Sequence, residues 1–296
     1  MYKIGMVSIT GRPNAGKSTL LNAIMKTHLA IVSDKVGTTR NNIIGIYNDD
    51  DSQILFFDTP GLNKSFDRLG AKMNRNIREG IASSEVILFL VDAKKGFTDN
   101  DKKIVDTFKD LNKKVFLIIN KIDGLPREKI LNKITEYQKY YDFNEIIPLS
   151  AQRGDNVDEV IKTIKKYLTE SEEKMYSEKD VTFNSLEFQV AELVREEILN
   201  LTYQEIPHEI TCHTEEIVKR KNGYDNGYDI YVIVAVSRDN IKGIIIGQKG
   251  QMLKKIGSYA RKKIEELLHT KVYLELKVKT FKDWKNSDIK LKDLGF

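Results

Sequence analysis

Cysteine is almost absent from this chain of 296 residues, which has Cys212 and no other. A single cysteine excludes an internal disulfide, so we expect packed cores and a reducing compartment. The longest apolar runs, "VILFLV" and "VFLII", are far shorter than the ~20 residues of a membrane-spanning helix. The opening "MYKIGMVSIT" lacks a signal-peptide pattern, and no repeat or low-complexity tract is present. A cytoplasmic globular protein is therefore expected.

Basic charge is concentrated in the last fifth of the chain. The whole chain carries +5, but residues 241–296 hold 14 basic against 6 acidic residues, whereas residues 171–240 hold 7 against 15. A concentrated basic segment inside a folded unit favours a polyanionic partner. A solvated lysine-rich surface is the alternative, and charge alone does not separate the two.

Short apolar runs alternate with amphipathic stretches up to about residue 168. Strands are predicted for "KIGMVSIT", "QILFFD", "EVILFLVD", "KVFLIIN" and "EIIPLSA", and helices for stretches such as "KSTLLNAIMK" and "NVDEVIKTIKKYL". This alternation indicates an α/β fold with a largely parallel sheet covered on both faces. In such sheets ligands bind beyond the carboxyl ends of the strands.

The second part of the chain follows a different order. Residues 169–180, "TESEEKMYSEKD", are charged and aperiodic and predict a linker. After them the pattern predicts α-β-β-α-α-β, a separate α+β unit. We expect a first domain at 1–170, a linker at 171–182 and a second domain with a C-terminal tail at 183–296.

A phosphate-binding loop lies between the first strand and the first helix. Residues 11–18, "GRPNAGKS", match G-x-x-x-x-G-K-[ST]. The glycines let backbone N–H groups face phosphate oxygens at a helix N-terminus. Lys17 is expected to contact the β- and γ-phosphates, and the Ser18 hydroxyl to bind Mg²⁺. The predicted nucleotide contacts of this loop are Gly11, Asn14, Ala15, Gly16, Lys17, Ser18 and Thr19.

Three more motifs follow strands and extend this pocket. In "DTPG", residues 58–61, Asp58 is placed to hold Mg²⁺ through water, and Gly61 to donate its N–H to a γ-phosphate. In "NKID", the Asp123 carboxylate can accept from both N–H groups of guanine, which adenine does not present. "SAQ" closes the opposite edge of the base. The motifs together predict a GTP pocket, with further contacts at Thr59, Pro60, Asn120, Lys121, Asp123, Ser150, Ala151 and Gln152.

The polar loop "VSDKVGTTRNN" between the first two motifs predicts an order–disorder switch. Thr39 is the predicted ligand of Mg²⁺ and the γ-phosphate, with Thr38 as the neighbouring alternative. A plain surface loop is the other interpretation. The predicted metal ligands are therefore Ser18, Thr39 and Asp58.

The order GRPNAGKS, TTR, DTPG, NKID, SA resembles the Era family of GTPases. The resemblance implies a P-loop GTPase domain with slow, Mg²⁺-dependent hydrolysis of GTP to GDP and phosphate. Ras-type enzymes place a water-orienting Gln after the motif glycine, whereas this chain has Leu62, so another group must position the water. An Asn at the position of Asn14 holds K⁺ in related GTPases, and K⁺ binding is a hypothesis here. The implied catalytic residues are Lys17, Thr39, Asp58, Gly61 and Asn14.

A second glycine loop, "GQKG" at residues 247–250, lies in the basic segment. It fits the GXXG loop of a KH domain, where the missing Cβ atoms let a nucleic-acid backbone approach. An ordinary turn is the alternative, but the element order and the charge favour a bacterial-type KH domain that binds a single strand. The predicted contacts are Lys242, Ile246, Gly247, Gln248, Lys249, Gly250, Lys254 and Lys255.

The resemblance to the Era family extends to "VREEILNLTYQEIPHEITCHTEEI" and to the closing "VKTFKDWKNSDIKLKDLGF", and so covers the whole chain. It implies binding to the 3′ end of small-subunit ribosomal RNA and a role in assembly of the small ribosomal subunit. A monomer is expected, and peripheral contact with the cytoplasmic face of the membrane is left open. Two other interpretations remain: a constitutive RNA-binding module with a non-catalytic G domain, and a GTPase for RNA modification or membrane transport.

Overall fold

The structure, a computed structural model, describes residues 2–35, 37–60, 67–203, 206–220 and 227–296. Among these residues, no helix has the length and apolar character that crossing a bilayer requires. The chain divides into two compact units, with the main break between Phe183 and Asn184, and the described residues 67–69 are grouped with the second unit. We call them the N-terminal unit and the C-terminal unit, and each has a hydrophobic core of its own.

The N-terminal unit alternates strands with helices. Its strands are β1 (Tyr2–Gly11), β2 (Ile43–Asn48), β3 (Ser52–Asp58), β4 (Val86–Asp92), β5 (Lys114–Asn120), β6 (Glu145–Pro148) and β7 (Thr169–Ser171). Its helices are α1 (Lys17–Met25), α2 (Arg68–Ser83), α3 (Asp99–Asp106), α4 (Arg127–Tyr137) and α5 (Val157–Lys165). The sheet order is β2-β3-β1-β4-β5-β6, with β7 paired to the first residues of β1. Only β2 and β7 pair antiparallel among these described strands, which confirms the predicted parallel-rich α/β fold.

The apolar runs form the centre of this sheet. β4 is buried along its whole length, and β5 is buried after its first residue. Such continuous burial is typical of parallel strands that are covered on both faces. Helix α5 buries Val157, Val160, Ile161 and Ile164, whose spacing forms one face of a helix. The sheet and its helices therefore enclose a packed core.

Polar residues stand where the central strands end. Gly11 ends β1, Asp58 ends β3, Asp92 ends β4 and Asn120 ends β5. The three polar side chains are all buried, at 0%, 3% and 2% exposure respectively. Because parallel strands end at the same edge of a sheet, these residues lie together, and this edge holds the candidate site.

The segment after α5 is attached to the sheet. The sequence predicts an irregular linker from residue 169, but residues 169–171 form β7, antiparallel to β1. Further along, the amide of Ile46 in β2 donates to the carbonyl oxygen of Val181 at 2.9 Å, and Thr182 forms an antiparallel bridge with Gly45. These hydrogen bonds join backbone groups far apart in sequence, so neither charge nor periodicity reveals them.

The C-terminal unit has the order α-β-β-α-α-β. Its elements are α6 (Leu186–Leu201), β8 (Ile210–Lys219), β9 (Tyr228–Val236), α7 (Asp239–Ile246), α8 (Gln251–Leu268), β10 (Val272–Thr280) and α9 (Asp288–Asp293). The sheet order is β10-β9-β8, with β10 parallel and β8 antiparallel to β9. This confirms the predicted bacterial-type KH order, to which the short helix α9 is added.

The core of the C-terminal unit lies between its sheet and its helices. Val194 of α6, Ile245 of α7 and Ile256 of α8 are completely buried in it. The residues after β10 are also anchored, because the fully buried Trp284 stacks on Phe296 with 5.9 Å between ring centroids. The loop between α7 and α8 is thus carried by two helices that are fixed to one core.

Candidate functional site

The loop between β1 and α1 leaves no room for side chains at its two glycines. Gly11 has a φ of +144°, and a Cβ there would lie 2.5 Å from the carbonyl oxygen of Leu90. Gly16 has a φ of +97°, and a Cβ there would lie 2.2 Å from Nδ2 of Asn120. α1 begins directly after this loop at Lys17, so the first N–H groups of the helix are available to an anion.

Lys17 is the buried cation of this loop. Its Nζ donates to the carbonyl oxygens of Gly11 at 3.2 Å and of Arg12 at 3.1 Å. Burial lowers the pKa of Lys17, and the carboxylate of Asp58 opposes that shift. An ammonium group has three N–H donors, so with two of them on the loop one remains for an anionic ligand.

Three oxygen-bearing side chains meet at the start of α1. Ser18 Oγ donates to Oδ2 of Asp58 at 2.6 Å and lies 3.0 Å from Oγ1 of Thr39. The Thr38 hydroxyl instead donates to a carbonyl oxygen of its own loop at 2.6 Å. The structure thus brings the three predicted metal ligands together, and Thr39 rather than Thr38 faces them.

This corner has the chemistry of a magnesium site. Hydroxyl and carboxylate oxygens are hard ligands that suit Mg²⁺. Burial raises the pKa of Asp58 to about 6, against the attraction of Lys17 and hydrogen bonds from Ser18 and Thr39. Oδ1 of Asp58 is buried and has no hydrogen-bond partner among the described residues. A buried carboxylate oxygen without a hydrogen bond is unfavourable unless an ion or water binds it. The residues present therefore fit Mg²⁺.

A small cavity of about 60 Å³ lies beside Lys17 and Ser18. The phosphate-binding loop lines one side, and residues 31–33 and 37–39 line the other. Asn14 ties the two loops together, because its Nδ2 donates to the carbonyl oxygen of Asp34 at 2.6 Å. Its φ of +62° is one that asparagine tolerates better than most residues. The cavity therefore has walls from both predicted phosphate-contacting segments.

Asn120 joins three of the predicted motifs. Its Nδ2 donates to the carbonyl oxygen of Ala15 at 2.8 Å, and its Oδ1 accepts from the amide of Ala151 at 3.0 Å. The amide of Lys121 donates to the same oxygen at 2.8 Å. With these contacts Asn120 acts as a structural link between the phosphate-binding loop and the "SAQ" motif.

A second cavity, of about 310 Å³, lies at the ends of β4 and β5, and Asp123 lines it. Oδ1 of Asp123 accepts from Ser150 Oγ at 3.0 Å, and Oδ2 accepts from Nζ of Lys94 at 2.6 Å. The Lys94 ammonium holds the pKa of the Asp123 carboxyl below its usual value. Nζ of Lys121 donates to the carbonyl oxygen of Asn14 at 2.7 Å. The cavity therefore presents an ionised carboxylate to a ligand with N–H donors.

The remaining predicted nucleotide contacts differ in their placement. Thr19 and Gln152 line the second cavity. Thr59 is buried, and its hydroxyl donates to a carbonyl oxygen of β1 at 2.9 Å. Gly61 and Leu62 lie outside the described residues, so the γ-phosphate contact and the water-positioning argument stay predictions.

Two polar groups of this site are missed by the sequence patterns. Asp92 directly follows the apolar run "VILFLV". A polar residue after such a run is the signal that locates Asp58 and Asn120, so Asp92 could have been predicted in the same way. Arg12, whose Nε donates to Oδ1 of the buried Asp101 at 2.8 Å, has its partner 89 residues away. No local sequence pattern predicts that ion pair.

The GQKG loop joins α7 to α8 through a sharp turn. A Cβ on Gly247, which has a φ of +71°, would lie 2.6 Å from Cβ of Met252. Lys249 and Gly250 follow with φ values of +50° and +77°. A Cβ on Gly250 would meet nothing within 4 Å. Gly247 is therefore required by packing, whereas Gly250 borders open space that a ligand backbone can approach.

A groove of about 560 Å³ runs between α8 and β10 beside this loop. Its lining combines apolar groups such as Leu253 with the basic Lys254 and Arg261, a mixture that suits the bases and phosphates of a single strand. Ser258 and Arg261 are missed by the sequence patterns, although they stand four and seven residues after Lys254 on one helix face. Of the predicted contacts, the groove lining includes Gly250 and Lys254 but not Lys242, Ile246, Gly247, Gln248, Lys249 or Lys255.

Two family models match the chain. The model described as 50S ribosome-binding GTPase matches residues 6–121, and the KH-domain model matches residues 205–285. Among solved structures, a tyrosine-to-alanine variant of Era from Aquifex aeolicus, bound to GDP and AlF4⁻, is 41% identical with a TM-score of 0.95 and 99% of both chains covered. Era in complex with MgGDPNP and nucleotides 1506–1542 of 16S ribosomal RNA is 41% identical with a TM-score of 0.96, over 100% of this chain and 99% of that one.

Proposed function

The chain belongs to the Era family of GTPases, and we propose that it is a GTP-hydrolysing switch that binds the 3′ end of small-subunit ribosomal RNA and assists assembly of the small ribosomal subunit. The observation that supports this most is one match at 41% identity over both units, to an Era that holds MgGDPNP and 16S RNA together. We propose that the protein acts in the cytoplasm. Peripheral membrane contact and a monomeric state stay predictions.

The N-terminal unit supplies the nucleotide site of this proposal. Lys17 and the first N–H groups of α1 bind the β- and γ-phosphates, where their positive charge stabilises the charge that develops during phosphoryl transfer. When bound, Mg²⁺ at Ser18, Thr39 and Asp58 neutralises further phosphate charge. Thr39 lies in the loop that follows α1, so loss of the γ-phosphate would release this loop. Asn14 offers its side-chain oxygen to K⁺, which stays a hypothesis.

Asp123 selects guanine over other bases. Its two carboxylate oxygens accept the two N–H groups on the edge of guanine, while Ser150 fixes the carboxylate through Oδ1. A base without this pair of donors cannot make these two hydrogen bonds to the carboxylate and therefore binds less tightly. Lys121 holds the phosphate-binding loop against the same site through the carbonyl oxygen of Asn14.

The C-terminal unit supplies the RNA site. The open space beside Gly250 admits the sugar-phosphate backbone, and the groove between α8 and β10 holds the bases. Lys249, on the turn, and Lys254 and Arg261, on α8, add positive charge along this path. A constitutive RNA-binding module with a non-catalytic N-terminal unit is less well supported, because such a unit has no need of the buried Oδ1 of Asp58, which has no hydrogen-bond partner among the described residues and suits a metal ion.

Charge reversal at the turn tests the RNA site. In Lys249→Glu we expect the affinity for an RNA oligonucleotide of the small-subunit 3′ end to fall about threefold to tenfold, because one phosphate contact is lost. For the same reason the slope of log affinity against log salt should decrease by roughly 0.7. Fluorescence anisotropy over a salt series measures both quantities.

The matched control is Lys292→Glu in α9, which makes the same charge change at an exposed position outside the groove lining. GTP affinity should be unchanged in both variants, because the nucleotide site belongs to the other unit. Equal loss of RNA affinity in the two variants would show that net charge, and not the GQKG turn, carries RNA binding.

A further inference from the structure

Lys94 makes a direct ion pair with the carboxylate that selects the base. Its Nζ lies 2.6 Å from Oδ2 of Asp123, and both residues line the cavity of about 310 Å³. The side chain of Lys94 is 50% exposed and that of Asp123 is 22% exposed. The ammonium group therefore reaches the base-selecting carboxylate from within the cavity that would receive the base.

The position of Lys94 is set by the fold. Asp92, which is buried at the end of β4, accepts the amide of Lys94 through Oδ1 at 2.8 Å. The other carboxylate oxygen of Asp92 accepts Nζ of Lys121 at 2.9 Å. One buried carboxylate thus fixes both the backbone of Lys94 and the "NKID" motif, which holds the lysine in reach of Asp123.

Lys94 and an incoming base would meet Asp123 in the same cavity. A carboxylate has about four lone-pair sites, and Ser150 and Lys94 already use one on each oxygen. One site on each oxygen remains, which is enough in number for guanine, but guanine would bring its N–H donors to Oδ2 through the same cavity from which Nζ of Lys94 contacts that oxygen. An ammonium and the base edge are therefore donors for the same acceptor.

From this geometry we propose that Lys94 competes with guanine for the carboxylate of Asp123, and that it thereby weakens guanine nucleotide binding and speeds nucleotide release. The inference rests on the proposed function, in which Asp123 accepts the base. It goes beyond that function because it assigns an exchange-setting role to a residue outside the four GTPase motifs. As the base leaves, Lys94 takes its place on the carboxylate, so Asp123 is not left without a donor.

The test compares Lys94→Met with Lys95→Met, its exposed neighbour, in the full-length protein. In Lys94→Met we expect GDP to bind up to about fivefold more tightly at low salt, the upper range for a partly exposed ion pair. Release of a fluorescent GDP analogue should slow by a similar factor. Higher salt should reduce the difference from wild type, because salt screens the ion pair. Calorimetry and stopped-flow fluorescence give the two quantities.

Three outcomes would overturn the inference. Unchanged GDP affinity in Lys94→Met would show that the ion pair does not oppose the base, and weaker affinity would show that Lys94 assists it, for example by donating to the base carbonyl. Equally tight binding in Lys95→Met would assign the change to replacing a lysine in this loop, and not to the ion pair with Asp123. Any of these leaves the proposed function intact.

A second test, made in the Asp123→Asn variant, distinguishes failure of the inference from failure of the function on which it rests. Asp123→Asn should move the preference from GDP towards XDP, and without that change the assigned role of Asp123 fails. Where the change occurs, adding Lys94→Met should leave XDP affinity unaltered, because the ion pair no longer exists. If the added substitution tightens XDP binding as much as it tightens GDP binding in wild type, Lys94 does not act through Asp123.

Discussion

At the scale of single residues, Asp58 combines a role in the site with a cost in folding. Its pKa is about 6 in the folded chain, raised by burial from an ordinary 3.8 and opposed by Lys17. Between these two pH values the folded chain holds a proton that the unfolded chain has lost. Stability should therefore fall as the pH rises from about 4 to about 6, and remain lower above that range.

Removing this charge should stabilise the protein. With chelator present and no nucleotide, we expect Asp58→Asn to unfold with a free energy roughly 2–3 kcal/mol larger than wild type at neutral pH, since two pKa units correspond to that energy. The pKa of about 6 already includes the attraction of Lys17, so that attraction does not cancel the gain. Urea denaturation at a series of pH values measures it.

The gain should be small near pH 4 and disappear near about pH 3, where the wild-type carboxyl is protonated in both the folded and the unfolded chain. GTP hydrolysis should be lost in the same variant, because Asp58 belongs to the metal corner. A gain that is constant across the pH range would mean that something other than ionisation of Asp58 separates the two proteins.

The predictability of single residues depends on how far away their partners are. Lys17 and Ser18 belong to one short motif whose geometry is local, so the sequence was enough to locate them. The contacts of Lys94 with Asp123 and of Arg12 with Asp101 cross 29 and 89 residues. Such pairs exist because separate strands end at one edge of the sheet, and a linear pattern cannot show which loops meet there.

At the scale of elements, the segment after α5 shows what periodicity cannot predict. Its charged residues indicate a linker, yet Gln53 of β3 binds it with its whole side-chain amide. Oε1 of Gln53 accepts from the amides of Met175 and Tyr176 at 2.8 and 2.9 Å, and Nε2 donates to the carbonyl oxygen of Tyr176 at 3.0 Å. By contrast, β4 and the GQKG turn follow from local composition and were predicted.

Gln53 is completely buried, so its loss should release the segment. In Gln53→Ala we expect a decrease of about 1–3 kcal/mol in the stability of the N-terminal unit, because amides of the segment lose their acceptor. Trypsin should cleave after Lys174 and Lys179 about tenfold faster, since local opening precedes cleavage. Timed digestion followed by mass spectrometry identifies the cleaved bonds.

Gln138→Ala is the matched control, because Gln138 is an exposed glutamine at the end of α4. Its digestion should follow wild type. If Gln53→Ala is also cut at the wild-type rate, the backbone hydrogen bonds of Val181 and Thr182 to β2 hold the segment without help from the glutamine.

At the scale of the whole molecule, each of the two units has its own core and its own proposed ligand site. The core around β4 and β5 contains residues from the N-terminal unit alone, and the core around β9 and α8 contains residues from the C-terminal unit alone. The proposed nucleotide contacts and the proposed RNA contacts divide in the same way. Two independent cores predict two cooperative unfolding reactions in one chain.

Each ligand should therefore stabilise one of the two units against unfolding. In differential scanning calorimetry, GDP with Mg²⁺ at about a hundred times its Kd adds roughly 2.7 kcal/mol to the unit that binds it, which raises that transition by several degrees. The RNA oligonucleotide should raise the other transition instead. Lys17→Ala should abolish the first effect and keep the second, and Lys249→Glu should reduce the second and keep the first. A single transition that both ligands raise would mean that the units unfold as one, and the assignment of one function to each core would then lose its thermodynamic basis.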